Sequence, residues 1–250
     1  MQSWLRRWSW PLVPRLRLLT FPPAGGSALT FRPWAPLLPL DVELVAVELP
    51  GHGNRLPEPP VTSMSELMAG LVPELQALPG LPTAVLGHSM GAIVALAVCR
   101  RLRQFDPSWR PKILFVVGSE ARASRRGAVD LAEAPTPRLR RFLLDVHDGA
   151  GGAAHPVLQD LVIPALRADL ALLACHLPLP DCPLGCPIRV LTGADDDFVT
   201  TADQLDWAAE SDGNFERHTF AGGHFFYADP AVAAVMLQRI SADLNRLVHH

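Results

Sequence analysis

The chain has 250 residues, 49% of them hydrophobic and 19% charged, with a formal net charge of −3. That length suits one domain with one substantial core, and the composition is that of a globular protein rather than a disordered one. The small net charge leaves no electrostatic footprint for nucleic acid, and the basic charge is nearly all arginine, lysine occurring only at Lys112.

The first residues, MQSWLRRWSWPLV, include Trp4, Trp8 and Trp10 but no apolar run ending in a small-residue cleavage site. They read as a tail packed on the first strand, not as a secretory signal. No segment is apolar for long enough to span a membrane. Without a secretory signal, Cys99, Cys175, Cys182 and Cys186 read as reduced thiols, which makes a cytoplasmic location the expectation. Cys182 and Cys186 lack a second Cys/His pair at zinc-finger spacing, so neither metal nor cofactor is expected.

Along the chain, short apolar runs alternate with helical stretches, the pattern of βαβ units around a mostly parallel sheet. Strands are expected at Arg15–Phe21, Val42–Glu48, Ala84–Gly87, Ile113–Gly118, Ile188–Thr192 and Phe215–Phe220. Helices are expected near Ser27–Leu37, Met64–Leu78, Met90–Arg103, Ala202–Glu210 and Pro230–Leu247, with Ser63 and Glu66 as a capping box for the second. The alternation breaks between residues 121 and 187. That stretch holds GAGGAA, LPLPDCPLGCP and two expected helices, Pro137–Val146 and Leu161–Cys175. It reads as an insertion that covers an active site as a lid, with Gly149, Gly151 and Gly152 as hinge positions. Leu161, Val162, Ile163 and Leu166 would face a bound substrate or pack the lid onto the core.

The strongest chemical signal is Gly87-His88-Ser89-Met90-Gly91, a G-x-S-x-G between an apolar strand and the helical run MGAIVALAVCRRL. A serine on such a turn has its hydroxyl exposed, and small residues on either side let strand and helix crowd together. The Met90 amide, at the helix N-terminus, can donate to an oxyanion.

A serine nucleophile needs a base and a third group to orient it. Of nine histidines, His224 fits best, in the loop AGGHFF between the last strand and the last helix. His218 is held within a strand, His147 and His155 fall in the insertion, and His52 precedes the serine. The acid belongs after the strand Ile188–Thr192, where Asp195, Asp196 and Asp197 are consecutive. Three adjacent carboxylates cannot all face inward, so one is buried against the histidine. Asp196 is the choice, with Asp195 and Asp197 as turn residues and Glu120 as the alternative. A second oxyanion donor is expected from the Gly/Pro loop Phe21–Ser27.

The motifs FPPAGG, VELPGHGNR, LGHSMGA, PALRADL, CPIRVLTGADDDFV and AGGHFFY, in this order, closely resemble the type II thioesterases that stand beside polyketide and nonribosomal peptide synthases. The resemblance runs from about Leu16 to the last helix. It implies an α/β-hydrolase fold, with Ser89 as nucleophile, Asp196 as acid, His224 as base, and the amides of Met90 and Ala24 as oxyanion hole. It also implies an editing role: hydrolysis of acyl groups from the phosphopantetheine arm of an acyl- or peptidyl-carrier protein. A general carboxylesterase, a product-releasing thioesterase and a hydrolase-fold binding protein without turnover are the rivals. The chain departs from the family's pattern at Asp197 and around Cys175-His176, and its Trp-rich beginning has no counterpart there.

Overall fold

The alternation of apolar residues along each strand feeds two cores, one on each face of a sheet. In the computed structural model, which describes residues 2–121, 125–147, 156–175 and 183–249, Leu19 and Phe21 point to one face while Leu16 and Leu18 point to the other. Val45 and Val47 against Leu44 and Ala46, and Leu114 and Val116 against Phe115 and Val117, repeat the division.

The strands are β1 (Leu5–Arg7), β2 (Leu16–Phe21), β3 (Val42–Val47), β4 (Thr83–His88), β5 (Leu114–Val117), β6 (Cys186–Gly193) and β7 (Ser211–Phe220). They form one sheet in the order β1-β3-β2-β4-β5-β6-β7, parallel except for β1. Helices α1 (Met64–Gln76) and α2 (Met90–Phe105) cover one face, and α7 (Pro230–His249) with a 3-10 segment at Ala28–Leu37 covers the other. A short α6 (Thr201–Leu205) leads into another 3-10 segment, Asp206–Glu210.

Three local readings change. The N-terminal tail is a strand: Leu5–Arg7 pairs antiparallel with β3, and Trp4 seats against α1 where Gly70 leaves room. A Cβ at Gly70 would lie 2.2 Å from the Trp4 ring, and the Arg55 guanidinium sits 4.6 Å over that ring. The helix expected at Ser27–Leu37 is 3-10, because Pro33 and Pro36 remove amide donors and collide with an α-helical preceding turn. The capping box of α1 has its Ser63 half, the hydroxyl accepting from the Glu66 amide at 3.2 Å.

Between β5 and β6 the described residues form α3 (Arg125–Ala132), α4 (Thr136–His147) and α5 (Pro156–Cys175). The first of these was not expected. A third apolar cluster, including Ala134, Leu139, Leu143, Ile163, Leu166 and Leu170, holds them together. Ile163 and Leu166 are thus buried among these helices and Leu161 is exposed, while Val162 touches the loop after β2. Gly149, Gly151, Gly152, His155 and Cys182 lie outside the described residues. No described helix is long and apolar enough to cross a membrane.

Candidate active site

β4 ends at His88 and α2 begins at Met90, which leaves a single residue, Ser89, to reverse the chain. Ser89 has φ 54 and ψ −122, the only positive φ at a non-glycine position among the described residues. That conformation costs on the order of 1–3 kcal/mol and persists because its surroundings enforce it. The Ser89 amide donates to Val117 O at 2.8 Å, and its carbonyl accepts from the Ala92 amide at 3.0 Å. The flanking glycines are required by space. A Cβ at Gly87 would fall 2.3 Å from Ala92 Cα, and one at Gly91 would fall 2.2 Å from Phe21 O. Ser89 occupies the N-cap position of α2 yet makes no capping bond, so its hydroxyl is not committed to the helix.

The loops after β6 and β7 are stitched together by backbone. Ala194 N–H donates to Phe220 O at 2.7 Å, and Asp195 N–H to Gly222 O at 3.0 Å. Gly193 permits this approach, since a Cβ there would lie 2.2 Å from Gly223 O. The stitching brings Asp196 to His224, whose Nδ1 lies 3.0 Å from Asp196 Oδ2. Both side chains are almost wholly buried, and Asp196 Oδ1 accepts from the Phe198 amide at 3.0 Å. Asp195 and Asp197 face solvent. Because the Asp196 carboxylate can only accept, Nδ1 donates to it, which makes Nε2 the acceptor of the neutral ring. Phe198, Phe225 and His88 enclose the imidazole, with ring centroids 5.3, 5.5 and 4.9 Å away.

His88 has a part the sequence did not announce. Its Nε2 donates to the His224 carbonyl at 3.2 Å while its Nδ1 accepts from the Tyr227 hydroxyl at 2.7 Å, which fixes the backbone that presents His224. Burial raises the Tyr227 pKa well above its ordinary value and keeps this hydroxyl a donor.

Ser89, Met90 and His224 line a common cavity of about 210 Å³. Its apolar wall comes from Leu131 of α3, Phe142 of α4, and Leu170 and Leu173 of α5, with Phe198 packed edge-on against Phe142, ring centroids 5.6 Å apart. Leu161, Val162, Ile163 and Leu166, expected either to face a bound substrate or to pack the lid onto the core, are not in this wall; Ile163 and Leu166 are buried in the apolar cluster of α3–α5, and residues one and two turns beyond Leu166 line the cavity. Glu120 also lines the cavity, but the carboxylate bonded to His224 is that of Asp196. Ala24 lies in the loop after β2, in the turn Pro23–Gly26, which the Gly26 amide closes on Pro23 O at 2.9 Å. His218, in β7, pairs with Glu216 at 3.2 Å.

A mostly parallel sheet, a serine on a strained strand-to-helix turn, an acid after β6 and a histidine after β7 define an α/β hydrolase. A thioesterase domain model matches residues 16–242. The gramicidin S biosynthesis protein GrsT of Aneurinibacillus migulanus is 32% identical over 217 residues, 85% of this chain and 83% of GrsT. The AMB antimetabolite synthetase AmbE of Pseudomonas aeruginosa is 34% identical over 96% of this chain, a match that spans 11% of AmbE's length. Among solved structures, the type II thioesterase BorB from the borrelidin biosynthetic cluster superposes with a TM-score of 0.84 at 32% identity, covering 98% of this chain and 99% of BorB. The chain belongs to the thioesterase domain family, hydrolases that act on thioester bonds.

Proposed function

We propose that this chain is an editing, type II thioesterase that removes acyl groups from the phosphopantetheine arm of carrier proteins. The observation that carries the reading is the buried His224–Asp196 pair at 3.0 Å beside a strained Ser89 on one small apolar cavity. Its likeness to BorB, described as a type II thioesterase, and to GrsT, a biosynthesis protein, supports the substrate class.

In this reading His224 Nε2 takes the Ser89 proton as Oγ bonds to the thioester carbonyl carbon. The carbonyl oxygen becomes an oxyanion held by the amides of Met90 and Ala24. The C–S bond breaks and the leaving thiolate takes the proton from the imidazolium. Water, deprotonated by His224, then attacks the acyl-enzyme ester, which releases the carboxylic acid and returns the proton to Ser89. Helices α3–α5 act as the lid, and the apolar wall they contribute admits a short acyl chain.

The test is turnover of one acyl group on two carriers, a phosphopantetheinylated carrier protein and a bare small thiol. The reading expects kcat/KM to favour the carrier protein, because its surface adds binding energy remote from the reacting bond. Equal values would leave a thioesterase without a carrier partner.

A further inference from the structure

Val162, Leu166 and Asp169 fall at positions i, i+4 and i+7 of α5, on one face of the helix. That face presses on the loop after β2. A Cβ at Gly25 would lie 3.1 Å from Val162 Cγ1 and 3.4 Å from Leu166 Cβ. One turn further on, Asp169 Oδ2 accepts from the Gly25 amide at 2.7 Å and lies 2.9 Å from His52 Nε2. Its side chain is fully buried, as is that of His52 to within a few per cent.

The protonation of this pair follows from its partners. His52 Nδ1 lies 2.9 Å from Pro50 O, a carbonyl that can only accept, and Nε2 faces a carboxylate oxygen that can only accept. Both ring nitrogens therefore donate, and His52 is an imidazolium. Burial opposes that charge, but the Asp169 carboxylate, the Pro50 carbonyl and the Glu48 carboxylate together outweigh it and the His52 pKa is raised. A buried ion pair of this kind contributes little stability over an apolar pair of the same volume. Here it is costlier still, because Asp169 Oδ1 is buried with no hydrogen-bond partner among the described residues. The arrangement is better explained by where it holds the chain.

What it holds is one peptide. Pro23–Gly26 has a positive φ of 70 at Gly25, its third residue, and the Gly26 amide closes it, the pattern of a type II turn. Type I and type II turns differ by a flip of the central peptide, here Ala24–Gly25. The bond from Gly25 N–H to Asp169 selects one of the two orientations.

We propose that Asp169, charged and aimed by His52, is a positioning residue: by fixing the Ala24–Gly25 peptide it anchors the Pro23–Gly26 turn to α5, and so makes the position of the Ala24 oxyanion donor, carried by the preceding Pro23–Ala24 peptide, depend on the seating of that helix. This rests on the reading of Ser89 as nucleophile and Ala24 as an oxyanion donor. Since α5 also supplies Leu170 and Leu173 to the cavity wall, the helix that receives the acyl group also completes the site that reacts with it.

The test compares Asp169→Ala, Asp169→Asn and His52→Gln with wild type on a small-thiol acyl thioester. It also measures their affinity for a trifluoromethyl ketone analogue, whose tetrahedral adduct with Ser89 places an oxyanion in the hole. Loss of a well-placed oxyanion donor costs about 10²–10³ in kcat, so a displaced one should cost Asp169→Ala roughly 10- to 100-fold. KM should move less than about threefold, and ketone affinity should fall in step with kcat/KM, as transition-state mimicry requires. Asp169→Asn keeps an acceptor for the Gly25 amide and should recover part of the loss, and it carries the test with His52→Gln if the alanine variant does not fold. Folded variants whose kcat and ketone affinity stay within about twofold of wild type, or whose two losses do not track, would overturn the inference. Ser89→Ala in parallel separates the cases: turnover abolished there but unchanged in the Asp169 variants sinks only the role of Asp169, whereas turnover surviving in Ser89→Ala sinks the nucleophile and this inference with it.

Discussion

Gly118, the residue after β5, lies against the His224–Asp196 pair. A Cβ at Gly118 would stand 3.3 Å from His224 Cε1 and 3.4 Å from Asp196 Oδ2, and the residue has φ 51. Gly118→Ala should therefore strain the backbone by about 1–3 kcal/mol and shift the His224–Asp196 pair by tenths of an ångström. Misplacement of reacting groups on the ångström scale costs on the order of 10²-fold, so kcat should fall by roughly 10-fold or more while KM holds. Steady-state kinetics on the folded variant check this; an unchanged kcat would mean that the pair tolerates the displacement.

Ser89 can be tested for strain and chemistry at once. Ser89→Ala and Ser89→Gly both lack the hydroxyl, so both should lose turnover by roughly three orders of magnitude or more and resist labelling by a fluorophosphonate in intact-mass analysis. Only glycine is at ease at φ 54. Ser89→Gly should then be the more stable of the two by about 1 kcal/mol, after the entropy glycine adds to the unfolded chain. Equal melting temperatures would show the turn to be unstrained.

The acid is assigned by comparison. Asp196→Asn should reduce kcat by about 10⁴-fold, because the amide cannot hold the His224 tautomer that leaves Nε2 free. Asp195→Asn and Asp197→Asn remove exposed carboxylates and should change kcat little. Glu120→Gln is the decisive control: if it were the most damaging of the four, the acid would come from the end of β5.

The His52–Asp169 pair predicts a pH dependence of stability. The groups facing His52 are Asp169 from α5 and Glu48 after β3, with Arg6 and Arg55 against Glu48. The His52 pKa is raised in the folded state from its ordinary 6.5. Its charge therefore stabilises the fold fully below that value, and the contribution is lost as pH climbs through the raised one. The difference in Tm between wild type and His52→Gln should be largest in mildly acidic buffer and shrink as pH rises. A difference that grew with pH would contradict the imidazolium.

Trp4→Ala should destabilise the fold by about 3–5 kcal/mol, the usual cost of truncating a buried tryptophan, since it empties the space that Gly70 leaves on α1. Urea unfolding would measure it. A cost under about 1 kcal/mol would mean that β1 is dispensable to the core.

Much of this molecule is written in short-range pattern. Six of the seven strands and the helices Met64–Gln76, Met90–Phe105 and Pro230–His249 follow from apolar spacing over a few residues, and the Ser89 turn from five consecutive residues whose small members the backbone requires. Leu5–Arg7 escaped because three residues carry no period; it is a strand only because β3 offers an open edge.

Relationships across the chain are of another kind. Asp195, Asp196 and Asp197 are equivalent as neighbours in sequence, and only the packing of Gly193 on Gly222–Gly223 turns the middle one toward His224. The cavity wall is set by how α3, α4 and α5 pack on one another, so Leu170 and Leu173 line it where Leu161 and Ile163 do not. His52 and Asp169 stand 117 residues apart. Neither segment announces the pairing, and their charge and hold on Gly25 exist only because folding buries them against one another and excludes the water that would otherwise satisfy both.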